Sequence, residues 1–361
     1  MRRIVIKIGS NVITRPDATL DVSRIAMIVD EVAALHRQGA QVILVSSGAV
    51  ASGRGELRET APADGLDSVS ARQLYSAVGQ AKLINRYYDL FREHGIVCGQ
   101  VLTMKECFAT RHLYLNQKNC IEVMLAHGVI PIVNENDTVS VTELMFTDND
   151  ELSGLIATML DAEMLLILSN VDGVYDGDPR QAGSRLLATI EAGRRIDRRA
   201  FATAGSSFGR GGMGTKYATA RRVAEEGIAV VIANGRRAGI ISAVVAGDRA
   251  VPFTLFEPAE HRASAVKKWI ASSGGFAKGE VRVNAGAAQA LTSGKAVSVL
   301  LVGVTDIAGD FRKGDIARVL APDGTVIAVG KVSLSADKAR KAIGKRGIAP
   351  LIHYDYLSLD V

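Results

Sequence analysis

Apolar residues along the first 235 or so positions recur in two alternating rhythms. Short continuous runs rich in Ile, Val and Leu occur at Arg3–Ile8, Gln41–Ser46, Ile96–Leu102, Val129–Val133, Met164–Leu168 and Ala229–Ala233. Longer stretches between them place apolar residues at helical spacing. In Val22–Gln38 these are Ile25, Ile28, Val29, Val32 and Leu35, and Gly39 closes the pattern. Ser70–Phe91, Leu113–Ala126, Glu151–Leu160 and Thr215–Glu226 are predicted as helices in the same way. Continuous apolar strands separated by helices predict a mainly parallel sheet covered on both faces, a three-layer α/β/α sandwich.

The rhythm changes after about residue 250. Residues 258–278 mix Pro, Gly, Ser and charge and are predicted as a linker with one helical turn around Trp269. From Gly279 the runs become short and β-like: Glu280–Val283, Val297–Leu301, Ile316–Leu320, Val326–Val332 and Leu351–Tyr354, broken by turns such as Pro322-Asp323-Gly324. The expected organisation is a large α/β domain over 1–257, the linker, and a small β-barrel or sandwich over 279–361.

Composition narrows the classes. The chain has 361 residues, 48% apolar and 22% charged, with 36 Gly and 8 Pro, which argues against a disordered or collagen-like chain. No apolar run approaches the roughly 18 residues that a spanning helix needs. The segment Met1-Arg2-Arg3-Ile4-Val5-Ile6-Lys7 lacks the uninterrupted apolar core of a signal peptide. Cys98, Cys107 and Cys120 form no CxxC pair and are read as thiols of a reducing cytoplasm. The net charge of +5 is unevenly spread. Residues 276–361 hold 12 Lys/Arg against 8 Asp/Glu, and the remainder 31 against 30. The large domain is nearly neutral, so its basic residues matter by placement.

Ligands of parallel sheets bind beyond the carboxyl ends of the strands, so the loops there carry the candidate chemistry. Lys7-Ile8-Gly9-Ser10 places a lysine on an apolar strand, either partnered by an anion or reaching solvent from the strand end. Ser46-Ser47-Gly48-Ala49-Val50 offers backbone N–H groups and a helix N-terminus to a carboxylate or phosphate, where simple N-capping explains the serine alone. Asn134-Glu135-Asn136-Asp137 and Asp148-Asn149-Asp150 are each ordinary as turns, yet together can orient an ammonium, a lysine or a magnesium-bound phosphate. The second is no calcium loop, because the Gly and terminal Glu are missing.

Gly209-Arg210-Gly211-Gly212-Met213-Gly214-Thr215-Lys216 nominally fits G-x-G-x-x-G, but no strand precedes it. It also misses the Walker A ending, reading Thr-Lys. What remains is a glycine-rich loop leading into a helix that carries a lysine, a cradle for phosphate or else a flexible surface loop. Two lysines, glycine loops and Asp/Asn clusters, with no Ser-His-Asp or Cys-His arrangement, match what phosphoryl transfer needs. A carboxylate acceptor is already ionised at pH 7 and requires no general base.

These residues resemble a known family. Val5-Ile6-Lys7-Ile8-Gly9-Ser10, Ser46-Ser47-Gly48-Ala49, Ala77-Val78-Gly79-Gln80, Asn134-Glu135-Asn136-Asp137, Asp148-Asn149-Asp150 and Gly211-Gly212-Met213-Gly214-Thr215-Lys216 occur in the order seen in bacterial glutamate 5-kinases, of the amino acid kinase family. Gly303-Val304 and Gly309-Asp310-Phe311-Arg312-Lys313-Gly314-Asp315 are similar to a PUA domain. The resemblance implies transfer of the ATP γ-phosphoryl to the side-chain carboxylate of L-glutamate, the first step of proline biosynthesis.

By the same resemblance, Lys7 and Lys216 neutralise the transferring phosphoryl and Asp150 holds those lysines. Ser47, Asp137 and Asn149 bind glutamate, with Ser10, Gly48 and Asn134 nearby. Ser169, Asn170 and Arg210, Gly211, Gly212, Met213, Gly214, Thr215 and Lys216 line the nucleotide site, with Mg2+ on the ATP phosphates. Proline as an inhibitor near the glutamate site and a homo-oligomer are further implications. Asn170 and Arg210 depart from the Asp and Thr of many members.

Three alternatives remain at this point. One is an aspartate, acetylglutamate or uridylate kinase of the same fold, against which the β domain and Asn134–Asp137 argue. Another is a dehydrogenase using Gly209–Gly214. The third is RNA binding through Lys338, Arg340, Lys341, Lys345 and Arg346, a cluster better read as a solvated helix face because no aromatic is interleaved.

Overall fold

The computed structural model describes residues 2–59, 65–139, 146, 148–179, 181, 183–194, 212–260, 269–270, 276–293 and 296–359. Two compact units emerge: Met1–Met104 with Gln117–Arg262, and Lys105–Asn116 with Ala263–Val361.

The first half of the sheet-and-helix array runs β1 (Arg3–Ile8), α1 (Ser10–Ile13), α2 (Val22–Arg37), β2 (Gln41–Ser46), α3 (Ala49–Leu57), α4 (Ser68–Glu93), β3 (Cys98–Thr103), α5 (Glu106–Ala109), α6 (Arg111–Ala126) and β4 (Ile130–Glu135). It continues with α7 (Asn149–Met159), β5 (Met164–Ser169), β6 (Thr189–Ile190), α8 (Met213–Glu225), β7 (Ala229–Asn234), α9 (Ile240–Ala246) and β8 (Phe253–Phe256). The sheet order is β3-β4-β2-β1-β5-β7-β8-β6. Every neighbouring pair is parallel except β7 with β8. The three-layer α/β expectation holds.

The central strand explains why the core forms here. Ile4, Ile6 and Ile8 of β1 pack with Ile25, Val29 and Val32 of α2 and with Tyr87 and Phe91 of α4. Burying such a side chain contributes about 1.5–3 kcal/mol. Caps fix where the helices begin: Asp21 accepts from the Arg24 N–H, and Asp67 accepts from the Val69 and Ser70 N–H groups. The Asp67 cap starts α4 at Ser68, two residues earlier than the apolar spacing predicts.

Helices α3 and α4 cross at backbone contact. A Cβ on Gly79 would lie 1.8 Å from the Ala49 carbonyl oxygen, and one on Gly53 would lie 1.8 Å from that of Tyr75. Only glycine permits this approach, and it sets the height at which α4 presents its next residue, Gln80.

The second unit carries β9 (Gly279–Val283), α10 (Ala285–Leu291), β10 (Val304–Gly309), β11 (Ile316–Leu320), β12 (Val326–Lys331), α11 (Ala336–Arg340) and β13 (Leu357–Ser358). They form a five-stranded sheet of order β10-β9-β11-β12-β13 around Val281, Val283, Phe311, Val319 and Leu351. Two predicted strands differ. At Val297–Leu301 only Val299 pairs, bridging to Ile352, before a 3-10 turn at Leu301–Gly303, and the regular strand begins at Val304. Leu351–Tyr354 contributes that single bridge. Apolar runs here bury side chains without forming a ladder, a choice that periodicity alone does not distinguish.

Trp269 in the predicted linker is buried, its indole N–H donating to the Phe108 carbonyl at 3.1 Å within the same unit. The remaining linker positions 261–268 and 271–275 lie outside the described residues. Among the described residues no helix is long and apolar enough to cross a membrane. All three cysteines are free thiols, and burial pushes Cys98 up to about 11.

Candidate active site

Strand β1 is the point where the topology reverses. From it the chain builds outward through β2, β4 and β3 on one side and through β5 and β7 on the other. Such a switch leaves a crevice beyond the carboxyl ends of the strands. Lys7 is the penultimate residue of β1, and Ser46, Glu135, Ser169 and Asn234 end β2, β4, β5 and β7. The Ser47 N–H donates to the Ile8 carbonyl, and the Gly9 N–H to that of Leu168, so both flanking loops are tied to the tip of β1. Ser10 opens α1 immediately afterwards, capped by Gly9.

One side of the crevice is charged. Lys7 Nζ lies 2.6 Å from Asp150 Oδ1, and Lys216 Nζ lies 2.9 Å from Asp150 Oδ2. Asp150 is fully buried, while Lys7 and Lys216 are 4% and 9% exposed. Burial alone would raise the Asp150 carboxyl, but the two ammonium groups outweigh it and hold it below the usual carboxylate range. The helix ends explain part of the arrangement. Asp150 occupies the first turn of α7, where negative charge is favoured. Lys216 occupies the first turn of α8, where positive charge is disfavoured, so its stability there depends on Asp150. Two ammonium groups thus share one carboxylate in a nearly dehydrated spot.

The other side joins a chain of neutral amides to a paired set of charges. Gln80 Oε1 accepts from Asn134 Nδ2 at 2.8 Å, and Asn134 Oδ1 accepts from Asn149 Nδ2 at 2.9 Å. Asn149 Nδ2 also donates to Ser47 Oγ at 3.0 Å. Gly48, at φ +101°, caps α3 beside them in the left-handed region that favours glycine. Asp137 is buried and accepts from Arg72 Nε at 3.0 Å, while Arg72 Nη2 also lies 3.6 Å from Glu135. Ser76 Oγ lies 3.5 Å from the second Asp137 oxygen.

Asp148 caps α7, accepting from the Asp150 and Glu151 N–H groups. Its carboxyl is raised, chiefly by burial and then by the neighbouring Asp150 charge, against smaller opposing pulls from Thr215, the Glu151 N–H and Lys7. On the β5 side, Ser169 Oγ lies 3.4 Å from Asn170 Oδ1. Gly212 caps α8, leading into Met213, Gly214 and Thr215, whose hydroxyl donates to the Gly212 carbonyl. Arg210 and Gly211 lie outside the described residues.

Of the predicted residues, Lys7 and Lys216 thus each contact Asp150, Ser47 and Asn134 each contact Asn149, and Asp137 contacts Arg72, while among the described residues no such side-chain contact joins Ser10, Gly48, Ser169, Asn170, Met213, Gly214 or Thr215 to these groups. Sequence reading gave no role to Arg72, Ser76 or Gln80. Their spacing of four places them along one face of α4, a polar stripe in line with its buried Leu83, Tyr87 and Phe91, and that stripe was the available signal. Asp172 was also missed. It takes a two-pronged hydrogen bond from Arg237, which lowers its carboxyl, with burial opposing, and it accepts from Asn234 at the end of β7.

A metal held by the protein itself does not suit this donor set. Asp150 is committed to two lysines, and no group of three or more His, Cys, Asp or Glu among the described residues can hold an ion. The lysines and the N-terminus of α8 suit phosphate oxygens.

Comparison with known proteins agrees with this geometry. The model of the amino acid kinase family matches residues 2–234, and that of the PUA domain residues 279–353. The glutamate 5-kinase of Bacteroides thetaiotaomicron is 56% identical over 358 residues, covering 99% of this chain and 98% of that protein. The glutamate 5-kinase of Chlorobaculum tepidum is 45% identical, covering 99% and 97%. Among solved structures, carbamate kinase from Giardia lamblia bound to AMP-PNP shares the fold with TM-score 0.53 at 16% identity, over 72% of this chain and 99% of that one. The chain belongs to the amino acid kinase family, in its glutamate 5-kinase branch.

Proposed function

We propose that the chain transfers the γ-phosphoryl group of ATP to the side-chain carboxylate of L-glutamate, giving L-glutamyl 5-phosphate and ADP, the first step of proline biosynthesis. The observation that carries the reading is the single buried carboxylate of Asp150 shared by Lys7 and Lys216. Its family membership and its full-length glutamate 5-kinase relatives support the choice of substrate.

In the reaction an oxygen of the glutamate side-chain carboxylate attacks the γ-phosphorus, and the bond to the β–γ bridging oxygen breaks with its electron pair leaving on ADP. The nucleophile, with a pKa near about 4, is ionised at pH 7 and gives up no proton. The protein's part is therefore placement and charge. Lys7 and Lys216 offset the negative charge on the transferring oxygens and on the leaving bridge. Asp150 keeps both ammonium groups pointing at that spot. Ser47, Asn149, Asn134, Asp137, Ser10 and Gly48 hold glutamate. Ser169, Asn170 and the Arg210–Lys216 loop hold the nucleotide. Mg2+ arrives on the ATP phosphates and spreads their charge.

Further parts of the reading extend beyond the reaction. Proline, which shares the amino acid backbone of glutamate, acts as an inhibitor at the acceptor side. The protein works in the cytoplasm as a homo-oligomer. The second unit contacts RNA through Lys338, Lys341, Lys345 and Arg346, supported by their exposure and by the PUA match. Arg340 is engaged in the fold, donating to the Ile307 carbonyl.

The test is chemical trapping. Incubation with ATP, magnesium, hydroxylamine and L-glutamate is expected to give the glutamyl hydroxamate that reports an acyl phosphate. A signal no greater than with aspartate or N-acetylglutamate would overturn the assignment.

A further inference from the structure

The neutral side of the crevice has a direction. Gln80 and Asn134 are 8% and 3% exposed, so their amides cannot turn freely toward water. Gln80 presents its carbonyl to Asn134 and thereby takes up the Asn134 NH2 group. Asn134 must then present its own carbonyl to Asn149. Asn149 answers with its NH2 group, which donates to Asn134 Oδ1, to Ser47 Oγ and, at 3.4 Å, to the Ser46 carbonyl. Two groups at the end of the chain have no partner among the described residues. Ser47 Oγ accepts from Asn149, which leaves its own O–H to donate, and Asn149 Oδ1 is left to accept. A donor beside an acceptor is the complement of a carboxylate beside an ammonium.

We propose that Gln80 is a positioning residue that sets the direction of this amide chain and so makes the acceptor side selective for a zwitterionic α-amino acid. The inference rests on the reading that Ser47 and Asn149 bind the acceptor. If Gln80 turned its NH2 group inward, Asn134 would have to turn its own NH2 group toward the Asn149 NH2 group, which the Ser46 carbonyl and Ser47 Oγ also hold. Asn149 would then lose its inner partner, and its carbonyl would no longer be held toward the crevice. The Gly79 contact with Ala49 gives Gln80 its height, because it fixes α4 against α3 one residue earlier. This accounts for the Gly79-Gln80 pair as one device, a close approach followed by an acceptor.

The experiment compares Gln80→Met and Gln80→Glu in the full chain, with an Asn149→Ala background and a Ser47→Ala control. Gln80→Met removes the acceptor and is expected to raise the KM for L-glutamate by about tenfold, with kcat and the KM for ATP within about threefold. Gln80→Glu, an isosteric acceptor that cannot donate there when ionised, is expected to stay within about threefold in every constant. In the Asn149→Ala background the Gln80→Met change is expected to add less than about twofold, because its effect passes through Asn149.

An unchanged KM in Gln80→Met, equal losses in Glu and Met variants, or a full additional loss in the Asn149→Ala background would each overturn the proposal. If Gln80→Met does not fold, Gln80→Glu still decides: a tenfold loss of glutamate affinity there contradicts the direction assigned. Failure of the underlying reading looks different. Ser47→Ala would then leave the KM for glutamate unchanged, whatever the Gln80 variants do, and both claims would fall.

Discussion

The two sides of the crevice solve the problem of burying polar groups in opposite ways. Beside β5 and α8 the groups are charged, with one carboxylate between two ammonium ions. Beside β2, β4 and α4 neutral amides and a hydroxyl are joined in a chain, and the charges there, Arg72 with Asp137 and Glu135, are paired with one another. A buried charge is costly unless paired, and one left unpaired by substitution costs about 3–5 kcal/mol. A neutral amide costs less and in exchange carries direction, since each carbonyl and NH2 is assigned by its neighbour. The charged side suits a group whose charge moves during the reaction, and the neutral side suits recognition of a ligand that does not change there.

The contrast breaks most visibly at Asp150. Asp150→Asn leaves two buried lysines with no counter-charge, and both stability and turnover are expected to fall. Denaturant unfolding should show a loss of about 3 kcal/mol, and kcat a loss of about a hundredfold or more. A variant of normal stability would show that the lysines reach solvent and that the charged side is not the dehydrated spot described.

Gly79→Ala tests the scaffold of the neutral side. The added Cβ meets the Ala49 carbonyl at 1.8 Å, so the helices must separate. The expected result is a loss of about 1–3 kcal/mol with a raised KM for glutamate, read by thermal melting and steady-state kinetics. Ser47→Ala is milder. It removes the free donor of the chain and is expected to raise the KM for glutamate by about tenfold while leaving that for ATP alone.

Much of the fold was legible because the strands are continuous apolar runs and the helices have a clean apolar face. Helix α3 was legible only at its start, after Gly48, and α9 and β8 were not. Ala49–Leu57 carries three glycines or serines among its nine residues, and Ile240–Ala246 is only seven residues long with Ser242 as its one polar position, so neither shows a helical stripe. At the site, Lys7, Asp150 and Lys216 announced themselves as charges at strand and helix ends. Their meeting on one carboxylate was expected from the family resemblance alone, because Lys7 lies on β1, Asp150 on α7 and Lys216 on α8, and spacing does not show how these elements pack. Gln80 and Arg72 were hidden for a different reason. Polar residues on a long helix usually face water, and only the crossing of α4 over α3 turns this stripe inward.

The smallest effect concerns pH. Asp148 has a raised carboxyl in the folded state, so its ionised form weakens the fold above that value and has no such effect once protonated. Asp148→Asn, which can still cap α7, is expected to raise the melting temperature at neutral pH, with the gain shrinking as pH falls through that raised value. Asp150 has the opposite sign. Its lowered carboxyl adds stability above the unfolded value near about 4, and that stability is lost as pH falls further toward the folded value. A pH-independent gain in Asp148→Asn would show that its charge is not the cause.

The division of labour between the two sides is tested most directly by Lys216→Met, measured for turnover and, by calorimetry, for L-glutamate binding. The substitution keeps the length of the stem and leaves Asp150 paired with Lys7. The expected result is a fall in kcat of about a thousandfold with glutamate affinity within about threefold of the unsubstituted protein. Near-normal turnover, or a loss confined to glutamate affinity, would contradict the account.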